Sequence, residues 1–334
     1  MIKKILVFEF ITGGGYAQQA LPVSLANEGM LMLNALLLDL AELSDIQITV
    51  MQDWRCTHLP LPENAKAVLV SKGQSIDDLI QQLIECVDAV WLIAPETDAI
   101  LSNLSQWVEA KSKILLNSSS AAVALCSDKL STKQYLEQHA IPLVKTLQLD
   151  TFLQDFDAPW VVKAKDGVGC LENYYVSSQN GLNSINSQIK RSSDYIIQPY
   201  INDNSLSLSC LFEEGKAWLL CCNRQIISVQ QGHFELSACE VNIAYSREAE
   251  LQQLIDKVAI AIPGLWGYVG IDLVQTESGE LLVLEINPRL TTSYAGIHSA
   301  LGINVASLII EMIDNKPMIN KKINRQITVL IPKN

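Results

Sequence analysis

Two apolar runs near the carboxyl end of the chain, residues 270–274 and 281–286, constrain the fold most strongly. The polar residues between them include a Ser-Gly pair at 278–279, which suits a two-residue hairpin turn. Counting outward from this turn places Asp272 directly opposite Glu285. We therefore predict an antiparallel hairpin with two carboxylates on one face of a sheet.

Side chains alternate between the two faces of a strand, so Asn287 shares the face of Glu285, and Arg289 follows at the same parity. Facing carboxylates destabilise a sheet unless solvent or a counter-charge compensates. A solvated surface hairpin is one interpretation, but the almost wholly apolar flanking runs indicate burial. Magnesium binds carboxylate oxygens together with nucleotide phosphates. The hairpin therefore predicts a Mg²⁺ site for ATP at Asp272, Glu285 and Asn287.

Composition places the chain among soluble α/β proteins, because 334 residues with 49% hydrophobic and 18% charged residues can build two or three domains. The net charge of −12 disfavours nucleic acid or an anionic membrane as a partner, since both bind basic surfaces. We find no run of the ~18 apolar residues that a membrane span needs and no signal-peptide pattern. We expect a cytoplasmic protein.

The first 117 residues alternate between strand and helix patterns, which predicts an open parallel sheet. The predicted strands cover 3–10, 47–51, 67–70, 89–94 and 113–116, and the predicted helices cover 23–43, 76–86 and 99–110. The glycine-rich turn lacks the G-x-G-x-x-G spacing of nicotinamide-dependent enzymes. Thr12 and Gly13 either contact a ligand or form a tight turn. Glu96 either binds an amine substrate or complements a helix dipole.

A lysine and a glycine-rich loop mark the middle of the chain. Lys163 lies in the predicted strand 160–165, where an apolar setting is costly for it unless it meets an anion. The loop 166–170 that follows offers backbone N–H groups for phosphate oxygens, or it is a plain hairpin turn. The eight cysteines and four histidines show neither C-x-x-C nor zinc spacing, although Cys170 could supply a thiol.

The remaining pattern predicts further elements in alternating order. Helices are predicted at 127–139, 181–190, 246–262 and 302–314, and strands at 143–149, 195–198, 206–212, 217–223 and 326–331. Arg224 ends the second strand of a predicted hairpin.

The order of these pieces resembles the ATP-grasp superfamily of carboxylate–amine ligases. The matching residues are Asp128-Lys129, Lys163, Lys165 to Gly169, Gln198 to Ile201, Gly270-Ile271-Asp272 and Glu285 to Arg289. The resemblance implies an ATP-grasp fold of mixed α/β and α+β class. It implies an N-terminal Rossmann-like (pre-ATP-grasp) open sheet over 1–117, a small subdomain over 118–200 and a C-terminal subdomain with the metal site over 201–334.

The resemblance also implies roles for these residues. Nucleotide binding would fall to Lys129, Lys163, Lys165, Asp166, Gly167, Val168, Gly169, Gln198, Pro199, Tyr200 and Ile201, with the last four forming the interdomain hinge. Many relatives carry one glutamate after the hinge glutamine and another that binds ribose, whereas Pro199 and Ser205 stand at those places here, which leaves Asp203 or Asn204 for the ribose. Asp272, Glu285 and Asn287 would hold two Mg²⁺ ions, for which Mn²⁺ could substitute. Lys163 and Arg289 would stabilise the transferring phosphoryl group.

Within the superfamily, short motifs around residues 8–15, 94–97, 168–170 and 287–294 resemble the tyramine–glutamate ligases of methanofuran-type cofactor synthesis. This resemblance implies amide formation through an acylphosphate, with amino acid and amine substrates and with a homodimer as one assembly. Arg224, Thr291, Thr292 and Tyr294 would line the substrate pocket, or the last three would pack a loop. The alternatives are a ligase for tyrosine, lysine or peptides, and a nucleotide-binding regulator without catalysis.

Overall fold

The computed structural model describes residues 2–167, 172–201 and 204–332. Four residues singled out by the sequence lie outside these ranges: Val168, Gly169, Cys170 and Asp203.

The N-terminal part forms a parallel five-stranded sheet. Its strands are β1 (Lys4–Glu9), β2 (Gln47–Asp53), β3 (Ala65–Val70), β4 (Ala89–Ile93) and β5 (Ile114–Leu115). Their spatial order is β3-β2-β1-β4-β5. Helix α1 (Val23–Ala41) packs against one face, and helices α2 (Asp77–Glu85) and α3 (Ile100–Ala110) pack against the other. The predicted open parallel sheet is confirmed, because both faces of its apolar strands are covered by helices.

The rest of the chain builds an antiparallel sheet in two lobes. The smaller lobe contains β6 (Leu147–Gln148), β7 (Trp160–Ala164), β8 (Tyr174–Val176) and β9 (Tyr195–Pro199). The larger lobe contains β10 (Asn204–Glu213), β11 (Lys216–Gln230), β12 (His233–Val241), β13 (Gly267–Gln275), β14 (Leu281–Asn287) and β15 (Ile327–Leu330). The order is β14-β13-β10-β11-β12-β8-β7-β9-β6, and β15 pairs with β12.

One pair of residues joins the two lobes into a continuous sheet. His233 on β12 pairs with Tyr174 on β8, and the Tyr175 amide donates to the Gly232 carbonyl at 2.8 Å. The sequence pattern did not predict β8 or β12. Both are short or largely polar strands, and their partners lie far away in the chain, so local periodicity carries little signal for them.

Six further helices cover the lobes in the part of the chain that the structure describes. They are α4 (Ser120–Ser127), α5 (Lys129–Glu137), α6 (Gln179–Gln188), α7 (Glu248–Ala261), α8 (Tyr294–Leu301) and α9 (Val305–Glu311). The helix predicted for 302–314 is present but shorter, as α9, because Gly302 ends the preceding helix α8 in the left-handed conformation at φ 64°. Helix α8 itself was not predicted from the sequence. The strand predicted for 143–149 shrinks to the two residues of β6.

Helix α1 packs on two surfaces at once. Its buried residues Leu33, Leu36 and Leu37 belong to a core that also contains Ile297 and Ile309 from α8 and α9. Across the described ranges, α1 is the one helix long and apolar enough to span a membrane by length and composition. Contact with a sheet and with two helices accounts for that apolar composition, since a helix packed on several sides loses its polar face.

Candidate active site

Asp272 and Glu285 pair as predicted from the sequence, but the turn and the strand register that bring them together differ from the prediction. Asp272 on β13 pairs with Glu285 on β14, while Leu273 pairs with Val283. Leu284 is therefore the extra residue of a β-bulge. The predicted two-residue turn is wrong, because the Gly279 amide donates to the Thr276 carbonyl at 2.8 Å and the loop is longer. The bulge restores the register that the longer loop would have shifted by one residue.

Amide side chains surround Asp272. The Asn287 amide donates to Asp272 Oδ2 at 3.1 Å, and the Gln225 amide donates to Asp272 Oδ1 at 3.1 Å. The pKa of Asp272 is raised to about 7, chiefly by desolvation inside the fold and then by the negative charge of Glu285, while the Asn287 hydrogen bond and the charges of Lys163 and Arg289 act in the opposite direction. A carboxylate in this setting binds a cation or a proton readily.

The donor set fits Mg²⁺. Two carboxylates and an amide on one sheet face are hard oxygen ligands, and Mg²⁺ completes its shell with water and phosphate oxygens. Across residues 2–167, 172–201 and 204–332 we find no group of three or more His, Cys, Asp or Glu side chains arranged to hold a metal. A cation at Asp272 and Glu285 would therefore depend on nucleotide oxygens as well.

Two lysines border this face. Lys163 on β7 is 7% exposed and lines a cavity of about 180 Å³ together with Asp272, Glu285 and Arg289. Lys129, at the first turn of α5, is 8% exposed, and its Nζ lies 3.4 Å from Glu285 Oε2. Buried ammonium groups need anions, and these two stand beside a carboxylate pair. The prediction that they contact nucleotide phosphates is compatible with this placement.

The start of the glycine-rich loop is fixed by two elements, helix α5 and the turn that follows β4. Lys129 Nζ donates to the Gly167 carbonyl at 2.6 Å, and the Lys129 amide donates to the Lys165 carbonyl at 3.0 Å. The Thr97 hydroxyl donates to the Asp166 carbonyl at 3.0 Å, and the Asp98 amide donates to the Asp166 carboxylate at 3.1 Å. The loop therefore starts against both the N-terminal sheet and α5.

Arg289 links the site to the N-terminal sheet. Its Nε and Nη2 donate to Glu96 Oε2 at 3.0 and 2.9 Å, and the two side chains are 12% and 7% exposed. One oxygen of the Glu96 carboxylate is therefore paired with Arg289. Glu96 Oε1 is buried without a hydrogen-bond partner among the described residues.

The predicted hinge combines a fixed amide with aromatic contacts. The buried Gln198 amide donates to Thr146 Oγ1 at 2.8 Å, so it is held within the small lobe. The Tyr200 ring packs edge-on against Tyr175 with centroids 4.9 Å apart. Tyr200 and Ile201 line an open cleft, and the contact of the backbone of Pro199, Tyr200 and Ile201 with adenine stays a prediction.

The predicted substrate residues divide into two groups. Thr291 and Thr292 line the larger cavity with Ser293. The other five, Thr12, Gly13, Glu96, Arg224 and Tyr294, do not line it. Tyr294 is buried, with its hydroxyl donating to Asp39 at 2.7 Å, because it begins a helix that packs on α1. Arg224 points outward to Glu240.

The glycine-rich turn after β1 also faces inward, away from the larger cavity. Thr12 donates to the Glu9 carboxylate through its backbone and its hydroxyl, at 2.6 and 2.5 Å. Gly13 lies so close to Phe8 that a Cβ would sit 2.8 Å from its ring. This turn builds a structural contact around Glu9.

Gln225, Glu28 and Glu9 are among the lining residues that were not proposed from the sequence. Strand alternation could have identified Gln225, because Arg224 and its neighbour must face opposite sides. Glu9 interrupts the apolar run of β1 at the carboxyl end of the strand, where ligands bind in open α/β sheets. Glu28 is a charged residue in a mainly apolar helix, and this exception to the apolar pattern could have identified it.

Comparison with known proteins agrees with this geometry. The family model described as an ATP-grasp domain matches residues 126–293, and the model of the pre-ATP-grasp 3 domain matches residues 46–123. The chain therefore belongs to the ATP-grasp family. ATP-grasp enzymes use ATP and Mg²⁺.

Particular relatives cover almost the whole chain. Tyramine–L-glutamate ligase of Methanocaldococcus fervens is 27% identical over 97% of this chain and 99% of its own. The ligase of the same name from Methanocaldococcus jannaschii is 26% identical over 95% of this chain and 92% of its own. The crystal structure of a putative ATP-grasp superfamily protein from Archaeoglobus fulgidus is 24% identical with a TM-score of 0.74, covering 98% and 92% of the two chains.

Proposed function

We propose that this chain is an ATP-dependent carboxylate–amine ligase that joins the γ-carboxylate of L-glutamate to tyramine and releases ADP and phosphate. The observation that carries the proposal is the Asp272–Glu285 pair facing Lys163, Lys129 and Arg289 within one site. The names of the two Methanocaldococcus relatives support the choice of substrates.

The chemistry requires activation of a poor electrophile. The γ-carboxylate first receives the γ-phosphoryl group of ATP, and the amine then attacks the acylphosphate and displaces phosphate. Phosphoryl transfer depends on positioning and charge neutralisation more than on a protein nucleophile. Lys163 and Arg289 would neutralise the transferring group, and Lys129 would hold the start of the glycine-rich loop against Glu285.

Asp272, Glu285 and Asn287 would hold the metal. When bound, Mg²⁺ neutralises phosphate charge and orients the nucleotide. We propose two ions, replaceable by Mn²⁺, because the carboxylates face each other across the two strands. Lys165, Asp166 to Gly169 and Gln198 to Ile201 complete the nucleotide site, with Asp203 for the ribose. Thr291 and Thr292 contribute to the substrate pocket.

Three expectations from the sequence complete the proposal. The chain divides into a pre-ATP-grasp part (1–117), a small lobe (118–200) and a larger lobe (201–334). It works in the cytoplasm on small molecules. A homodimer is its proposed assembly, which sedimentation velocity would test.

The test is ADP release by the purified protein with Mg-ATP and glutamate, with and without tyramine, followed by mass spectrometry of the product. We expect amine-dependent ADP release and a glutamyl-tyramine adduct lacking one water. Turnover with other amino acid pairs but not with tyramine would contradict the substrate assignment. ATP binding without turnover on a broad panel would contradict the ligase itself.

Glu285→Gln should lower turnover by at least about 100-fold, since it removes a charge that the metal and Lys129 both need. Glu280→Gln is the matched control, because it makes the same exchange at an exposed position of the same hairpin. Circular dichroism should show an unchanged fold for both variants. Near wild-type activity in Glu285→Gln would overturn the site assignment.

A further inference from the structure

A second cavity, of about 60 Å³, lies between the N-terminal sheet and the active site. One face of α1 lines it with Leu25, Glu28, Gly29 and Met32, a spacing that puts all four on the same side of a helix. Glu28, Met32 and Arg289 line the larger cavity as well. Glu28 therefore stands where the two cavities meet.

Glu28 has a carboxylate available for a ligand. Its pKa is raised by desolvation, with Arg289 acting in the opposite direction. Across the described ranges it forms no hydrogen bond or ion pair with another side chain or with the backbone. Arg289 is the cationic residue that lines the smaller cavity, and it is already paired with Glu96. Because Glu28 is half-buried and Arg289 pairs with Glu96, the Glu28 carboxylate attracts a positively charged ligand.

Glu9, the other carboxylate of this cavity, is committed to the protein. It accepts bonds from the Ile11 amide at 3.2 Å and from the Thr12 amide and hydroxyl. It reaches α1 because residue 29 is glycine, since a Cβ there would lie 2.6 Å from the Glu9 carboxyl carbon. Glu9 is thus held by its own turn, while Glu28 faces the space where a ligand can enter.

The remaining walls are apolar. Leu25 and Met32 of α1 face Ile11, Ile93 and Pro95 across the cavity. A carboxylate at the mouth of an apolar cavity suits an amine with a hydrocarbon or aromatic body. Glutamate would need a cationic partner for its α-carboxylate, and Arg289, the cationic residue of this cavity, pairs with Glu96 and is assigned above to the transferring phosphoryl group.

We propose that Glu28 binds the ammonium group of the amine substrate and takes its first proton. The inference rests on the proposed ligase function. Loss of that proton frees the nitrogen lone pair, which attacks the acyl carbon of the acylphosphate. The bond between the acyl carbon and the phosphate oxygen breaks with its electron pair on phosphate. The second nitrogen proton passes to the departing phosphate, leaving the neutral amide, hydrogen phosphate and a protonated Glu28.

Hydroxylamine distinguishes this role from the earlier steps, because it is largely uncharged near neutral pH and attacks acylphosphates without a base. The experiment measures glutamyl-hydroxamate and glutamyl-tyramine formation by Glu28→Gln, with Glu63→Gln as the control for the same exchange at an exposed loop position of the same domain. In Glu28→Gln we expect the ratio of tyramine amide to hydroxamate to fall by about 100-fold, the usual contribution of a general base. Glu63→Gln should keep the wild-type ratio.

Three results would overturn the proposal. Equal loss of hydroxamate and amide would give Glu28 a structural role or a role in binding glutamate, as would a raised KM for glutamate. Formation of both products at the wild-type rates in Glu28→Gln would exclude Glu28 as the proton acceptor. Glu28→Asp should recover part of the amide rate, and failure to exceed Glu28→Gln would count against a carboxylate role. Absence of hydroxamate in the wild-type protein would instead contradict the ligase function itself.

Discussion

Glu9, at the end of a buried strand, has a raised carboxyl pKa. It is 2% exposed, and burial raises its pKa from 4.5 to about 7 against the effect of its bonds to Thr12 and Ile11. The folded protein therefore binds more protons at this residue than the unfolded chain does between pH 4.5 and 7. The stability that Glu9 contributes is highest below pH 4.5, falls as the pH rises through this window and stays low above pH 7.

Glu9→Gln resembles the protonated carboxyl, so it should remove this dependence. We expect the variant and the wild type to match in stability at pH 4, and the variant to be more stable by up to about 3 kcal/mol at pH 8. Denaturant unfolding at the two pH values measures the difference. Glu63→Gln should follow the wild type at both, and parallel pH curves for wild type and Glu9→Gln would contradict the raised pKa.

The sequence predicted correctly which side chains lie together where strand alternation alone decides the face on which they lie. Asp272, Glu285 and Asn287 share a face because period-two alternation holds within β13 and β14. It failed at Arg224 and Tyr294, whose partners Glu240 and Asp39 become neighbours only through the fold. The contribution of α1 to the site was not predicted either, since no local pattern sets a helix against a strand that lies more than 250 positions away.

At the scale of elements, a buried polar contact fixes α1 to α8. Asp39 is 3% exposed and accepts hydrogen bonds from the Tyr294 hydroxyl and from His298 Nδ1, both at 2.7 Å. Burial raises the pKa of Asp39, while these two donors act in the opposite direction. The contact orients two helices that otherwise meet through interchangeable apolar side chains.

Asp39→Ala should destabilise the protein by about 2 kcal/mol, because it leaves the buried Tyr294 hydroxyl without an acceptor. The urea unfolding midpoint measures this loss. Glu42→Ala is the control, since Glu42 is 57% exposed beside the same histidine and should change stability by less than about 1 kcal/mol. Equal effects of the two substitutions would show that the buried contact contributes nothing.

Element boundaries followed the sequence where the apolar period was strong. β1, β4 and α1 lie within two residues of their predicted bounds. The Thr276–Gly279 loop did not, because a Ser-Gly pair fits several turn types and the bulge at Leu284 leaves no local signal. The correct pairing of Asp272 with Glu285 thus came from two compensating errors, a loop predicted too short and a bulge not predicted.

For the whole molecule, the nucleotide should act as a clamp between lobes, because Lys163 belongs to the small lobe and Asp272 to the larger one. A ligand that binds only the folded state stabilises it by about 2.7 kcal/mol at a concentration 100 times its Kd. Mg-ATP should therefore raise the Tm by several degrees, whereas ATP with EDTA should raise it less.

Asp272→Asn should lose most of this shift in differential scanning fluorimetry. Arg224→Ala should keep it, since Arg224 pairs with Glu240 on the surface. Equal shifts with Mg-ATP in wild type and Asp272→Asn would place the metal elsewhere.

The core shared by α1, α8 and α9 also determines whether the N-terminal sheet can be separated from the rest of the chain. Residues 1–117 form a sheet of their own, yet the outer face of α1 is covered by helices near the other end of the sequence. A fragment that ends at residue 117 would expose this apolar face of α1 to water, and it would aggregate or need a partner. Exchange of this segment between homologues would require α8 and α9 to be exchanged with it.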